Sequence, residues 1–382
     1  MTSRFIFNET SYFGWGSREV IVDEINKRKF KKALLITDST LLKAGVTHKV
    51  MDILDNNSLE YEVFSDIVPN PTIANVKKGL KIANKYHVDY IIAVGGGSVI
   101  DTAKAIGIIF NNPEYKDVKS LAGVVDTKNK SLPIIAFPTT SGTAAEATIN
   151  YVITDEEKKV KLVCVDPNSI PVLAIVDAEL MSSMPISVLA ATGMDALTHG
   201  IECFLSKGSN LMSDMFALKA INLVYKNIEK AANKERPALE KLAMAQYIAG
   251  MGFSNAGLGI VHSMAHQLGA TYDIPHGVAN ALLLPYVLEY NGVSPTNKYV
   301  GIADALEIEY QGLNYKEIVN KVVACIKELC MRLDIPQHFS DFGGREEDIH
   351  EMAKKAMEDP CTSSNPQEMT VEKFEELFEK AL

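Results

Sequence analysis

The residues best suited to chemistry in this 382-residue chain are one aspartate and four histidines in two short motifs. Asp195 and His199 are four residues apart, His262 and His266 are also four residues apart, and His276 follows ten residues later. Positions i and i+4 lie on one face of a helix, so each pair can converge on a single point. A carboxylate together with several imidazoles forms a mixed nitrogen and oxygen donor set. This pattern predicts a site for a divalent transition metal.

A structural role is the alternative for these histidines. A single pair of histidines four residues apart is more often a packing or surface feature than a pair of ligands. Here two i,i+4 pairs occur together with His276, which lies between Pro275 and Gly277, and that combination favours a metal. The spacing does not decide which histidines are ligands. Nor does it decide the metal, since imidazoles with one carboxylate accept both Zn²⁺ and Fe²⁺, and the general affinity order favours Zn²⁺.

A glycine-rich loop predicts nucleotide binding as a second property. Gly95, Gly96, Gly97 and Ser98 follow an apolar run typical of a strand and precede a helical pattern. Glycines let backbone N–H groups approach a pyrophosphate, and the helix N-terminus adds partial positive charge. Asp101 falls in the first part of that helix, where a carboxylate is favourable. Because the loop lacks the G-x-G-x-x-G pattern, a tight structural turn is the alternative.

Two further loops follow predicted strands. Asp38 ends a strand, as the ribose-binding carboxylate of a dinucleotide fold does, and it would favour NAD over NADP by repelling a 2′-phosphate. Thr139 and Thr140 belong to a hydroxyl-rich loop, PTTSGT, that could contact phosphate or ribose. Aspartate and threonine are also common in turns and helix caps, so both loops have a purely structural alternative.

Strand and helix patterns alternate through the first half of the chain. Continuous apolar runs predict buried strands at 31–40, 61–66, 89–98 and 133–140. Helices are predicted between them, at 20–30, 46–57 and 73–86. Residues 5–7, with the nearby Tyr12 and Phe13, predict a short N-terminal strand or hairpin. This alternation is typical of an α/β domain with a doubly wound parallel sheet and flanking helices. From about residue 185 only helical patterns remain. We therefore expect a dinucleotide-binding α/β domain at 1–184 and an all-α metal-binding domain at 185–382.

Composition and charge argue against several classes of function. Lys and Arg total 38 against 48 Asp and Glu, a net charge of −10 without a basic tract, so neither nucleic acid nor an anionic membrane is an expected partner. No apolar run approaches the length of about 18 residues that a membrane helix needs, and the N-terminus lacks a signal-peptide pattern. The five cysteines are scattered and odd in number, as is typical of reduced thiols. We expect a cytoplasmic protein.

Four segments together resemble the iron-containing, or group III, alcohol dehydrogenases, in the order and spacing of that family: GGGSVIDTAK (95–104), PTTSGTAAE (138–146), ATGMDALTHGIE (191–202) and GLGIVHSMAHQLGATYDIPHG (257–277). The resemblance covers essentially the whole chain. It implies that the metal, Fe²⁺ in this family, is held by Asp195, His199, His262 and His276. His266 would lie just outside the ligand set and face the substrate and nicotinamide. It is the candidate catalytic residue, relaying a proton near neutral pH.

The resemblance also implies a cofactor site and a substrate pocket. The residues around NAD would be Asp38, Asn70, Gly96, Gly97, Ser98, Asp101, Thr139, Thr140, Val152 and Lys161. Further segments, among them NNPEYKDVKSLAG (111–123), GMGFSNAGLG (250–259) and DPCTSSNP (359–366), are similar to one branch of the family, which interconverts lactaldehyde and 1,2-propanediol. By that similarity the pocket would be lined by Asn150, Phe253, Leu258 and Cys361.

The chain departs from this branch at one place. It carries Ser98-Val99-Ile100 where branch relatives tend to carry Ser-Pro-Gln, which changes side chains beside the glycine loop but keeps the loop. The branch is dimeric, with the N-terminal strand contributing to the neighbouring subunit. A homodimer is therefore implied.

The implied reaction is hydride transfer between NAD(H) and a short alcohol or aldehyde, with the metal as a Lewis acid on the substrate oxygen. Lactaldehyde and 1,2-propanediol are the leading pair, and butanol, 1,3-propanediol and ethylene glycol are alternatives within the family. A lyase on a dehydroquinate-synthase-like scaffold would need Lys or Arg near the metal, but segments 191–203 and 250–277 contain neither. A metal-dependent phosphohydrolase would leave the glycine and threonine loops unexplained.

Overall fold

The chain folds into two compact units, Met1–Met184 and Pro185–Leu382. The computed structural model describes residues 4–158, 160–293 and 296–382. Within these ranges, no helix combines the length and the apolar composition that crossing a bilayer would require.

The first unit contains two β-sheets. Their strands are β1 Thr10–Phe13, β2 Lys32–Ile36, β3 Glu60–Phe64, β4 Tyr90–Gly95, β5 Gly123–Val124, β6 Ile134–Pro138, β7 Asn150–Asp155, β8 Val160–Val165 and β9 Leu173–Val176. The larger sheet has the order β1-β9-β6-β4-β2-β3, and all its neighbouring strands are parallel. The smaller sheet has the order β5-β8-β7, in which β7 and β8 are antiparallel. The α/β class with a parallel sheet is confirmed.

Helices cover both faces of the parallel sheet. In this unit they are α1 Ile21–Arg28, α2 Ser39–Lys43, α3 His48–Asn56, α4 Ile73–Tyr86, α5 Gly97–Asn111 and α6 Ala178–Met181. Successive residues of a strand point to opposite faces, so a strand covered on both faces has to be apolar throughout. Accordingly, Leu34 and Ile36 of β2 belong to one hydrophobic core, whereas Ala33 and Leu35 belong to a second.

The strand order places a ligand crevice at a definable point of this sheet. Strand β2 pairs with β3 on one side and with β4 on the other, so the winding direction reverses at β2. In open α/β sheets, ligands bind beyond the carboxyl ends of the strands at such a switch point. The loop after β2 begins with Thr37 and Asp38, and the loop after β4 begins with Gly96. Both loops therefore lie at the crevice.

The predicted N-terminal strand is present at Tyr12 and Phe13, which belong to β1, but it does not include residues 5–7. Those residues lie outside every strand, and β1 begins only at Thr10. Two features hold the segment instead of a sheet ladder. The rings of Phe5 and Phe7 stack with centroids 5.9 Å apart, and the Asn8 side chain donates to the backbone oxygens of Glu146 and Pro171.

The second unit is helical throughout its described residues. Its helices are α7 Ile186–Leu205, α8 Leu211–Ala232, α9 Arg236–Ala256, α10 Ile260–Tyr272, α11 His276–Asn291, α12 Lys298–Ala305, α13 Tyr315–Arg332, α14 Ile349–Glu358 and α15 Val371–Ala381. Nearly every residue of α7 from Leu189 onwards is buried, so this helix is the centre of the unit. The all-α second half is confirmed.

Candidate metal centre and nucleotide loops

Three helices of the second unit position the predicted metal ligands. Asp195 and His199 lie one turn apart on the buried helix α7, His262 lies in the first turn of α10, and His276 is the first residue of α11. A close helix contact brings α11 to α7. A Cβ on Gly277 would lie 2.3 Å from the backbone oxygen of Ala191, so only glycine permits this approach.

These four side chains meet at one point. One donor atom from each lies within 4.8 Å of the donor atoms of the other three. The Asp195 Oδ1 atom is 3.9 Å from Nε2 of both His199 and His262, and 3.7 Å from Nε2 of His276. The first three residues are buried, and the His276 side chain retains 27% of its exposure. The cluster is thus a largely enclosed pocket of donors with one more open side.

The arrangement fits a divalent metal ion. A tetrahedral ion with bonds of about 2.1 Å separates its ligand atoms by about 3.4 Å. The three separations measured from Asp195 Oδ1 are slightly larger, at 3.7–3.9 Å. Ligation requires neutral imidazole, and burial lowers the pKa of His262 to about 4, so this ring is neutral at pH 7. Three imidazoles and one carboxylate match the donors that Zn²⁺ and Fe²⁺ accept.

The structure adds Asn280, which the sequence patterns did not single out. It lies one turn after His276 on α11 and is fully buried. Its Nδ2 atom donates to Asp195 Oδ1 at 2.7 Å and lies 3.1–3.2 Å from Nε2 of His262 and His276. The i,i+4 spacing from His276 was the signal that could have revealed it.

A second residue missed by pattern is Glu202, three positions after His199. Its Oε2 atom lies 2.5 Å from Nδ1 of His262, and its Oε1 atom accepts the N–H of Val261 at 2.7 Å. Burial raises the pKa of Glu202 to about 7, against the opposing effect of the N–H groups of Val261 and Gly259. A buried carboxylate thus contacts the ring nitrogen of His262 that faces away from the cluster.

His266 lies beside the four-residue cluster but outside it. Its ring stacks on His276 with centroids 5.4 Å apart, and its Nδ1 atom lies 2.7 Å from Oδ2 of Asp359. Burial opposes ionisation of Asp359, but the nearby His266 and the N–H of Cys361 outweigh it, so the pKa of Asp359 is lowered. Asp359 therefore stays ionised and accepts a hydrogen bond from Nδ1 of His266. The sequence patterns did not reveal this partner.

Three of the predicted pocket residues belong to the second unit. Phe253 stacks on His199 with centroids 4.3 Å apart and an interplanar angle of 13°. Leu258 is buried two residues before α10 begins. Cys361 donates its backbone N–H to Oδ1 of Asp359, and burial raises the pKa of its thiol. Asn150 belongs to the first unit and begins β7.

The glycine loop and the threonine loop of the first unit lie against each other. Strands β4 and β6 are paired up to Gly95, whose backbone oxygen accepts the N–H of Thr139 at 3.1 Å. A Cβ on Gly96 would lie 3.1 Å from the side chain of Thr140, so a larger residue would crowd the loop. Gly96 is the N-cap of α5, and Gly97 and Ser98 open that helix. The helix N-terminus and two threonines therefore share one edge of the sheet.

Asp38 and Asn70 occupy neighbouring loops. Asp38 is the N-cap of α2, and its Oδ1 atom accepts the N–H groups of Thr40 and Leu41 at 2.8 and 2.9 Å. Asn70 follows β3 in a left-handed conformation, with φ 55°. Because β3, β2 and β4 are neighbours in the parallel sheet, both residues and the glycine loop lie at its carboxyl edge.

Asp101 and Lys104 join α5 to β7. The Asp101 Oδ2 atom accepts the N–H of Val152 at 3.0 Å. Burial raises the pKa of Asp101 and outweighs the opposing effects of the Lys104 charge, the Val152 N–H and the Lys161 charge. Lys104 is fully buried and donates to Thr148 and to the backbone oxygen of Asn150. The sequence patterns missed Lys104, which fixes the start of β7.

Comparisons with known proteins match both units of the chain to one family. A model described as iron-containing alcohol dehydrogenase matches residues 8–178, and one described as the C-terminal part of the Fe-containing alcohol dehydrogenase family matches residues 189–382. The chain is 48% identical over 381 residues to lactaldehyde reductase of Escherichia coli, covering 100% of each chain. It is 39% identical to 1,3-propanediol dehydrogenase of Klebsiella pneumoniae, covering 99% of this chain and 98% of the relative.

Solved structures agree with these sequence matches. The structure of a 1,3-propanediol oxidoreductase superposes with a TM-score of 0.96 at 38% identity, covering 100% of both chains. An alcohol dehydrogenase from Oenococcus oeni superposes with a TM-score of 0.96 at 36% identity, again covering 100% of both chains. The fold matches along the whole length.

Proposed function

The chain belongs to the iron-containing alcohol dehydrogenase family, and we propose that it transfers a hydride between NAD(H) and a short aldehyde or alcohol. Lactaldehyde and 1,2-propanediol are the proposed substrate pair, supported by full-length similarity to a lactaldehyde reductase. The observation that carries the proposal is the buried cluster of three histidines and one aspartate with a further histidine beside it.

The metal ligands in this proposal are Asp195, His199, His262 and His276. The proposed ion is Fe²⁺, as the family description suggests, with Zn²⁺ as the alternative that the donor set also accepts. When bound, the ion supplies Lewis acidity toward the substrate oxygen. Asn280 keeps the Asp195 carboxylate in place through its 2.7 Å hydrogen bond.

His266 is the proposed proton relay. The ionised Asp359 accepts a hydrogen bond from Nδ1, which leaves Nε2 as the ring atom able to exchange a proton. In alcohol oxidation Nε2 would take the hydroxyl proton, and in aldehyde reduction it would return a proton to the new alkoxide. In both directions Asp359 keeps a proton on Nδ1, so the ring exchanges its proton at Nε2: it is neutral before alcohol oxidation and protonated before aldehyde reduction.

The proposed NAD site is the crevice at the β2–β4 switch point. The loop of Gly96, Gly97 and Ser98 would bind the pyrophosphate at the N-terminus of α5. Asp38 uses Oδ1 to cap α2, so Oδ2 is the oxygen proposed for the ribose hydroxyls. Its charge would disfavour a 2′-phosphate. Asn70, Asp101, Thr139, Thr140, Val152 and Lys161 complete the proposed site.

A second candidate substrate is a neighbouring diol or simple alcohol. Similarity to a 1,3-propanediol dehydrogenase supports 3-hydroxypropanal as the alternative aldehyde. Phe253 is a proposed pocket residue, and its ring stacks on His199, one of the proposed ligands. A small pocket lined by Phe253, Leu258 and Cys361 would discriminate between substrates of different chain length. We also propose that the protein is a homodimer, which a measurement of the molar mass by light scattering would test.

The test is anaerobic NADH oxidation with lactaldehyde after metal removal and reconstitution with Fe²⁺ or Zn²⁺. Turnover with Fe²⁺ that disappears in His262→Ala, together with loss of bound metal, is the expected result. Activity on butanal or 3-hydroxypropanal but not on lactaldehyde would keep the reaction and refute the substrate. No NADH oxidation with any short aldehyde would refute the proposed reaction.

A further inference from the structure

Helix α10 carries two buried carboxylate–imidazole pairs one turn apart. Glu202 lies at Nδ1 of His262 and Asp359 lies at Nδ1 of His266, at 2.5 and 2.7 Å. The two pairs have the same chemistry but different surroundings. Of the two histidines, only His262 belongs to the four-donor cluster. Its carboxylate partner, Glu202, can therefore influence metal binding through His262.

We propose that Glu202 is a positioning residue of the metal centre, which sets the tautomer and orientation of His262 and fixes α10 to α7. The inference rests on the proposed metal site. Glu202 belongs to α7, the helix that also supplies Asp195 and His199, so one helix contributes two ligands and supports a third.

Both carboxylate oxygens of Glu202 contact residues of α10. Oε2 contacts Nδ1 of His262, and Oε1 accepts the N–H of Val261, at the free N-terminal end of the helix. The preceding backbone is shaped to admit this carboxylate. A Cβ on Gly259 would lie 2.8 Å from Oε1 and 3.1 Å from Oδ1 of Asn365. Glycine at this position therefore leaves the space that Glu202 occupies.

This contact determines which nitrogen of His262 can be a ligand. An imidazole that donates Nδ1–H to a carboxylate has its lone pair on Nε2. Nε2 is the atom that lies 3.9 Å from Oδ1 of Asp195, in the cluster. A carboxylate partner also raises the basicity of the ligating nitrogen, and such partners typically change metal affinity by about 10- to 100-fold when removed.

The experiment compares Glu202→Gln with the matched variant Asp359→Asn. Glutamine has one acceptor oxygen where glutamate has two, so it can serve the N–H of Val261 or Nδ1 of His262, but not both. Each protein is stripped of metal and titrated with Co²⁺ in competition with a chelator, and the visible spectrum of the bound Co²⁺ is recorded. We expect Glu202→Gln to bind Co²⁺ about 10- to 100-fold more weakly with an altered spectrum, and Asp359→Asn to retain wild-type affinity and spectrum.

Circular dichroism of the metal-free proteins shows whether each variant is folded, so that weaker Co²⁺ binding can be told apart from a loss of structure. If Glu202→Gln does not fold, Glu202→Asp, which keeps the charge but shortens the reach to Nδ1, is tested by the same criterion. Wild-type affinity and spectrum in a folded Glu202 variant would overturn the inference alone. Failure of the wild-type protein to bind Co²⁺, with no difference from Asp195→Ala, would overturn the proposed metal site itself and the inference with it.

Discussion

The substitution Asp359→Asn tests the proposed role of His266 most directly. The Asp359 carboxylate accepts two hydrogen bonds, from Nδ1 of His266 at 2.7 Å and from the N–H of Cys361 at 2.9 Å. Asparagine presents one acceptor and one donor and can replace only one of these contacts. If its oxygen keeps the N–H of Cys361, its NH₂ group faces Nδ1, and the proton of His266 moves to Nε2. That ring can no longer accept a proton from an alcohol.

The size of the expected effect follows from this change of tautomer. General acid–base catalysis by a positioned side chain typically contributes about 10²- to 10⁴-fold, which equals about 3–5 kcal/mol of activation free energy. We therefore expect kcat for alcohol oxidation to fall by about 10²-fold or more in Asp359→Asn. The KM for the alcohol should change much less, because Asp359 does not belong to the four-donor cluster.

The assay is anaerobic steady-state kinetics, with the metal content measured on the same samples. Asp348→Asn is the matched control, since Asp348 accepts a hydrogen bond from the hydroxyl of Tyr272, the last residue of α10. It changes a carboxylate to an amide against the same helix and should leave kcat unchanged. A fully metallated Asp359→Asn protein with wild-type kcat would refute the assignment of His266 as a relay that depends on Asp359.

Three further substitutions test other parts of the structure. Lys104→Met leaves the oxygens of Thr148 without their buried donor, so the free energy of unfolding in urea should fall by about 1–3 kcal/mol; an unchanged midpoint would contradict this. Gly277→Ala places a methyl group 2.3 Å from the backbone oxygen of Ala191. We expect the free energy of unfolding to fall by about 1–3 kcal/mol, measured by thermal unfolding, and the bound metal to decrease, measured by metal analysis. Asp38→Asn keeps an oxygen that can cap α2 but removes the charge, so activity with NADPH should rise. Its free energy of unfolding should stay unchanged, whereas Asp38→Ala, which removes the cap, should lower it by about 1 kcal/mol.

Local signals were sufficient for much of the fold. Helix α4 was predicted at 73–86 and spans Ile73–Tyr86. Its start is set by Thr72 and Asn75, whose side chains cap each other's backbone N–H groups. Strand β2 was predicted from a continuous apolar run because both faces of the sheet are covered. In these cases the sequence around each element contains the cause of its structure.

Elements that depend on distant contacts were not predictable in this way. The apolar residues at 5–7, with Tyr12 and Phe13, suggested a strand or hairpin, but a strand needs a ladder partner. Within this N-terminal segment the partner, β9, pairs only with Thr10–Phe13, so Tyr12 and Phe13 join the sheet and residues 5–7 do not. Pairing of β1 with β9, across more than 150 residues, cannot be read from either segment alone. The hairpin of β7 and β8 also escaped prediction, but its pairing is local, and the burial of every second residue of β7 was the signal that could have revealed it.

The separation of roles among the histidines of α10 has the same origin. By spacing, His262 and His266 are equivalent, because both lie on one face of the same helix. They differ in their environment. Nδ1 of His262 faces Glu202 on α7 and its Nε2 faces Asp195, whereas Nδ1 of His266 faces Asp359, which precedes a 3₁₀ turn at Pro360–Ser364. The family resemblance could assign the roles, but only the packing of three separate segments gives the physical reason. In the proposed mechanism, each carboxylate keeps the proton on Nδ1 and leaves Nε2 free to react. The position of each ring then decides whether its Nε2 binds the metal or exchanges a proton with the substrate.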